Sequence, residues 1–205
     1  MAKKLFLTLA IIAFFSSCGT RRSVVQDPAT FDEGVVINDI RWATRNVAAP
    51  GTFAGNATDA GGLFTFYEAQ NACPPGWRLP TPEEFQSLVD AGCEWTEWTA
   101  RNVVNSRTFG TAPNQFFTYV TNPTYVNGRT FGKAPNYIFL PAAGARAEDD
   151  EVGLVLVGVV GTYWSNTPSG TSGARNLNFD FVNTSSHVLT SNSRLRGFSV
   201  RCVAE

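Results

Sequence analysis

Apolar positions change their period several times along this chain of 205 residues. An apolar run from Leu5 to Phe15, interrupted only by Thr8, comes first, and at eleven residues it is too short to span a bilayer as a helix. From Phe66 the spacing is helical. Phe66, Ala69 and Cys73 stand at i, i+3 and i+7, and Phe85, Leu88 and Val89 form a second stripe. Each stripe has a start signal, Thr65-Phe66-Tyr67-Glu68 and Thr81-Pro82-Glu83-Glu84. Both are capping boxes, in which the Thr hydroxyl accepts from the backbone three residues on and the Glu reaches back. Pro82 suits a first helical position. Pro74-Pro75-Gly76 stops the first helix, Ala91-Gly92 ends the second, and Trp77 and Leu79 alternate with Arg78 in a short extended bridge.

Elsewhere the pattern is strand-like. Val35, Ile37 and Trp42 open a strand segment, and Ala48 to Gly62 reads as loop. Residues 104–114 and 126–136 agree at nine of eleven positions. Two copies are too few for a solenoid, so they read as a pair of strand-turn units. Leu154 to Val160 is almost wholly apolar and predicts a buried strand. Period two then places Leu177, Phe179 and Phe181 inward and Asn176, Asn178 and Asp180 outward. Phe198, Val200 and Cys202 share one face of a last strand. Two helices followed by strands is an α+β order.

Lys3 and Lys4 before the apolar run make it a signal-peptide core. It ends in Phe15-Ser16-Ser17-Cys18-Gly19, which resembles a bacterial lipobox. Residues 1–17 are therefore expected as leader, Cys18 as the lipid attachment site, 18–34 as a tether and 35–205 as one domain. Removing the leader takes two of 16 basic residues, which leaves 14 against 17 acids, or −3. So mild a charge argues against nucleic acid as a partner. Only 16% of residues are charged, which suits neutral hydrogen-bonding contacts.

The chemistry searched for is mostly absent. One histidine, His187, builds neither a multi-His metal site nor a Ser-His-Asp arrangement. There is no phosphate loop and no Cys-x-x-Cys pair. The acidic group Glu148-Asp149-Asp150-Glu151 lacks the spaced oxygens of a calcium loop and reads as solvated. No metal or cofactor is expected. Trp95 and Trp98 could stack on a sugar, but core packing is the commoner reason for such a pair. Arg146 is expected in a structural salt bridge or carbonyl bond. Export implies an oxidising compartment, where Cys73, Cys93 and Cys202 leave one thiol over.

Five segments carry a resemblance: Cys73 to Phe85, Trp42-Ala43-Thr44-Arg45-Asn46-Val47, Ile138-Phe139-Leu140-Pro141-Ala142-Ala143-Gly144, Tyr163-Trp164-Ser165, and Gly197 to Val203. In this order they resemble the Fibrobacter succinogenes major paralogous domain, a family of bacterial secreted and lipid-anchored proteins with no settled activity. The plan is also similar to a C-type-lectin-like domain, with two helices and short antiparallel sheets. In that fold a Cys ending the first helix pairs with one in the last strand, which implies a Cys73–Cys202 disulfide and leaves Cys93 outside it. The sugar-binding motifs Glu-Pro-Asn, Gln-Pro-Asp and Trp-Asn-Asp do not occur, so calcium-dependent sugar binding is not implied. Formylglycine-generating enzymes share a similar Arg-Leu-Pro-Thr segment but use paired reactive cysteines, and the chain is expected not to be an enzyme.

Of residues 165–196, 18 are Ser, Thr, Asn or Gly, a composition similar to antibody paratopes. The expected contacts are Asn166, Thr167, Arg175, Asn178, His187, Leu189, Arg194 and Arg196. The layout resembles lectin-like proteins diversified by retroelements, which randomise the adenines of Asn codons. Such changes to AAC never yield Lys, Glu, Gln, Trp or Met, and none of the 22 such residues in the chain falls in this stretch. The expectation is a ligand-binding protein, lipid-anchored to the bacterial outer membrane, with a protein or glycan as ligand. The alternatives are a structural subunit of a surface appendage and an enzyme related to formylglycine-generating proteins.

Overall fold

A computed structural model describes residues 27–96, 127–148, 152–180 and 188–205. The strands and helices run in the order β1 (Val35–Ile37), β2 (Ile40–Trp42), β3 (Val47–Ala49), β4 (Thr52–Phe53), α1 (Phe66–Ala69), β5 (Trp77–Arg78), α2 (Pro82–Asp90), β6 (Cys93–Thr96), β7 (Gly128–Lys133), β8 (Asn136–Pro141), β9 (Ala145–Arg146), β10 (Leu154–Val155), β11 (Val160–Ser169), β12 (Gly173–Asp180), β13 (Val188–Ser193) and β14 (Val203–Ala204). They form five small antiparallel sheets, ordered β1-β2-β14-β5, β6-β7-β8, β11-β12-β13, β3-β4 and β10-β9. About 45% of the described residues lie in strands and 9% in helices. The expected α+β, C-type-lectin-like class is therefore overturned: the domain is predominantly β.

The physical reason lies in the first helix. Its capping box forms as expected, with the Thr65 N–H donating to Glu68 at 2.7 Å. The helix nevertheless lasts one turn. The Asn71 and Ala72 N–H groups bond three residues back, to the Glu68 and Ala69 carbonyls, so the coil tightens ahead of Pro74. Cys73, the last member of the stripe, lies beyond the helix end. A capping box satisfies end groups, but it cannot offset the cost of nucleating so short a helix. The second box, Thr81 with Glu84, opens a helix of nine residues that ends at Ala91. No helix among the described residues is long and apolar enough to cross a membrane.

The core has two parts, and the sheet β11-β12-β13 serves both. Tyr163, Leu177 and Phe179 pack with Trp42, Phe85, Leu88 and Phe131, so this face carries α2. Trp164 and Ala174 point the other way, to Phe64, Phe66, Phe198, Val200 and Cys202. The Trp164 ring centroid lies 4.3 Å from that of Phe198 and 5.6 Å from that of Phe66. At the opposite end of the chain, Asn38 and Asp39 both adopt positive φ, and they make the two-residue turn that joins β1 to β2.

Three expectations change. Leu154 to Val160 is not a buried strand. Leu154–Val155 pairs with β9 and Val160 already opens β11, while Leu154 and Leu156 are each 51% exposed. Gly153 and Gly158 turn the chain at positive φ, so Val155 alone reaches the core. Asn176 does not face solvent but is fully buried, because its side of β12 is the side that also carries Trp164 and Ala174. The end of the expected tether belongs to the domain. The Asp32 carboxylate accepts from the Gly34 and Thr44 N–H groups and the Thr44 hydroxyl, and pairs with Arg45 at 3.2 Å. The second repeat copy forms β7 and the turn into β8, as a strand-turn unit should. The first copy lies outside the described residues.

Candidate functional site

The segments that carry the resemblance meet at one side chain. Arg201 is fully buried. Its Nε donates to Asn46 Oδ1 at 2.9 Å, Nη1 to the Ala43 carbonyl at 3.0 Å and Nη2 to the Phe139 carbonyl at 3.0 Å. Asn46 Nδ2 donates onward to the Ala60 carbonyl at 2.8 Å and the Tyr163 hydroxyl at 3.2 Å. The Tyr163 hydroxyl donates to the Pro141 carbonyl at 2.8 Å. Thus Trp42–Val47, Ile138–Gly144, Tyr163–Ser165 and Gly197–Val203 are each tied to the same node. Burial pushes the Tyr163 phenol up to about 12 and pulls the Arg201 guanidinium below its ordinary value. A buried cation held by neutral oxygens organises a fold; it offers no reactive group to a substrate.

The fifth segment, Cys73 to Phe85, is structural as well. Cys73 is bridged to Cys202 with 6.0 Å between Cα atoms, the pairing that the lectin resemblance implied. Arg78 grips Glu84 through both terminal nitrogens, at 2.8 and 2.7 Å, and so ties β5 to α2. Hydrogen bonding to Arg78 holds the Glu84 carboxyl below its usual range. Cys93 accepts from Arg129 Nη1 at 3.3 Å.

A polar face is left on β11-β12-β13. In antiparallel pairs, directly opposed residues share a face. Thr162 opposes Asn178, Asn176 opposes Thr190 and Ala174 opposes Asn192. Thr190 Oγ1 donates to Asn176 Oδ1 at 2.6 Å, and Asn192 Nδ2 reaches the same oxygen at 3.2 Å. Arg196 Nη1 bonds Asn192 Oδ1 at 3.5 Å, and Asn178 Nδ2 reaches Thr162 Oγ1 at 3.4 Å. Asn176 Nδ2 is buried without an acceptor among the described residues. Thr190, Asn192, Asn178 and Arg196 are half-buried.

The eight expected contacts do not share this face. Asn178 lies on it and Arg196 at its edge. Arg175 and Leu189 project to the opposite face, where Leu189 packs against the core. Asn166 and Thr167 sit in the irregular stretch of β11 between Trp164 and Pro168. Arg194 donates to the Gly173 and Gly170 carbonyls, and its guanidinium lies 5.6 Å from the centre of the Phe66 ring. His187 and Cys18 lie outside the described residues. Thr162, Asn176, Thr190 and Asn192 escaped the sequence reading. Period two places Thr190 and Asn192 on one side of a strand, but only the register shows that Asn176 joins them.

The other candidates are structural. Trp95 packs partly against the core and its ring lies 5.8 Å from the Arg129 guanidinium, while Trp98 lies outside the described residues. Arg146 reaches Glu68 at 3.8 Å. An open groove of about 480 Å³ is bordered by Phe31, Asp32 and Arg45, whose charged groups are already paired with each other. Among the described residues, no group of three His, Cys, Asp or Glu could hold a metal ion.

No curated protein and no solved structure matches the chain. A family does: the Fibrobacter succinogenes major domain matches residues 39–204, a span that contains the whole Arg201 node, both bridged cysteines and the polar face. The chain belongs to the Fibrobacter succinogenes major domain family.

Proposed function

We propose that this chain is a non-enzymatic module, anchored through Cys18 to the bacterial outer membrane, that binds an uncharged, hydroxyl- or amide-rich ligand on the polar face of β11-β12-β13. The observation that supports the reading is the half-buried set of Thr190, Asn192, Asn178 and Arg196, whose amides, hydroxyl and guanidinium surround the buried Asn176 and hold its Oδ1. The groups around it are amides, hydroxyls and one guanidinium, so the face suits a neutral glycan or a polypeptide backbone and not a nucleic acid. The lack of Lys, Glu, Gln, Trp and Met in residues 165–196 further supports diversification of their exposed positions by a retroelement, marked by a reverse-transcriptase gene beside a near-copy of this stretch.

Binding to an array of neutral glycans tests the face. Asn192→Ala and Thr190→Ala should each weaken binding by about tenfold, the equivalent of one lost hydrogen bond. Binding to no neutral glycan, or binding that both variants retain in full, refutes the glycan form.

The anchor has a separate test. Replacing Cys18 by Ser should move the chain from the membrane fraction to the soluble fraction, since acyl chains are what would hold it there. A variant that stays with the membrane after a salt wash sinks the lipid attachment.

A further inference from the structure

The two edges of the sheet β11-β12-β13 are treated differently. Along β11 the outward groups are used: the Trp164 N–H donates to the Ser199 carbonyl at 3.1 Å and the Ser199 N–H to the Thr162 carbonyl at 3.0 Å. Along β13 no further strand pairs among the described residues. Its alternation is set by the Arg194 N–H, which donates to the Ser172 carbonyl at 2.9 Å. Antiparallel bonds alternate, so Val188, Thr190 and Asn192 turn their backbone groups to β12. Leu189, Ser191 and Ser193 turn theirs outward, and of these the Ser193 carbonyl already accepts from the Arg196 N–H at 3.3 Å.

An edge of this kind is usually blunted by Lys, Pro or a bulge. Val188-Leu189-Thr190-Ser191-Asn192-Ser193 has no charge and no proline, and it pairs with β12 without a register shift. We infer that β13 is a pairing edge for a second copy of this chain, antiparallel about a two-fold axis through Ser191. Outward groups must meet outward groups, which excludes a slip of one residue. Centring on Ser191 opposes Leu189 to Ser193 and Thr190 to Asn192 of the second copy. The last pair joins a hydroxyl to an amide, a favourable cross-strand combination. An uncharged strand meets itself without repulsion. The nearest like charges on the neighbouring strands, the two Arg175 side chains, stand three strand spacings or roughly 14 Å apart, beyond a Debye length of about 8 Å.

The axis is perpendicular to the sheet, so the resulting six-stranded sheet shows both polar faces on the same side. Two weak sites held side by side raise affinity for a repeating ligand without a new contact. The pairing does not depend on what those faces bind.

Sedimentation of the exported full chain carrying Cys18→Ser, which avoids detergent, tests the edge. The parent is expected as a reversible monomer–dimer system. Ser191→Pro removes an outward N–H, and Ser191→Lys sets two like charges face to face on the axis. Each should raise the dimer dissociation constant at least tenfold, with the Cys73–Cys202 bridge and near-ultraviolet circular dichroism unchanged. The Lys variant leaves the backbone ladder intact, so it decides the matter if the Pro variant does not fold. A parent that stays monomeric up to its solubility limit, or a dimer that Ser191→Lys leaves undiminished, overturns the proposal.

Discussion

Arg201→Met should destabilise the domain by about 3–5 kcal/mol, measured by urea unfolding, because each buried acceptor left unpaired costs about 1–3 kcal/mol. Met preserves much of the volume, so the loss is not a cavity effect. It removes the guanidinium donors from Asn46 Oδ1 and from the Ala43 and Phe139 carbonyls, around a fully buried side chain. Arg201→Lys should recover little, because an ammonium cannot reach three acceptors spread around a planar fork. A Met variant within 1 kcal/mol of the parent would show that the node is dispensable. Tyr163 adds a pH signature. Its folded pKa, about 12, lies above its unfolded value of 10.0, so the stability linked to it is full below pH 10 and declines as pH rises towards 12. Such a shift corresponds to a free energy on the order of 3 kcal/mol. Arg201 acts in the opposite sense, since its folded pKa is lowered and losing its proton favours the fold. Tyr163 itself raises the Arg201 value through charge and a hydrogen bond, so the comparison of parent with Tyr163→Phe reads the two groups as a coupled pair. The parent's unfolding free energy, taken relative to the Phe variant, should fall between pH 10 and 12; a constant difference would count against the buried phenol.

Removing the disulfide is the second large effect expected. The bridge spans 129 residues, and the chain-entropy estimate for so long a loop is about 3–5 kcal/mol. The double replacement Cys73→Ala, Cys202→Ala leaves no unpaired thiol from the bridge to react elsewhere. What it releases is the C-terminus, which β14 otherwise presents to β2 and β5 through Val203 and Ala204. Those pairings are too short to hold the strand unaided. Urea unfolding of the double variant against the parent measures the effect. A loss under about 1 kcal/mol would mean that the packing of Phe198 and Val200 holds the last strand alone.

What was legible in the sequence was local or compositional. Both capping boxes, the bridge through Arg78 and the burial of Phe198, Val200 and Cys202 in one cluster follow from neighbours a few residues apart, where backbone geometry leaves few choices. The first helix ends at Ala69, ahead of the expected stop at Pro74-Pro75, and the last strand is only Val203–Ala204. Family membership was legible too, because its segments are fixed words in a fixed order. The length of α1 was not, since a capping box says where a helix begins and not how far packing will carry it. The exposure of Leu154 and Leu156 was not, since an apolar run is buried only if the tertiary structure brings a surface to it.

Asn176 shows the division most plainly. Alternation along β12 separates it from Leu177 and Phe179, and that much belongs to the sequence. Whether the second face meets solvent is decided by what packs on it, and here Trp164, Ala174 and the chain around Phe66 and Phe198 close it off. The same holds for Arg201. Its type and position are plain in the sequence, but its acceptors lie 155, 158 and 62 residues away. Short-range pattern determined the elements and the family. Only the tertiary structure decided which polar groups are buried together, because hydrogen bonds across such separations depend on how the sheets dock and not on any local preference.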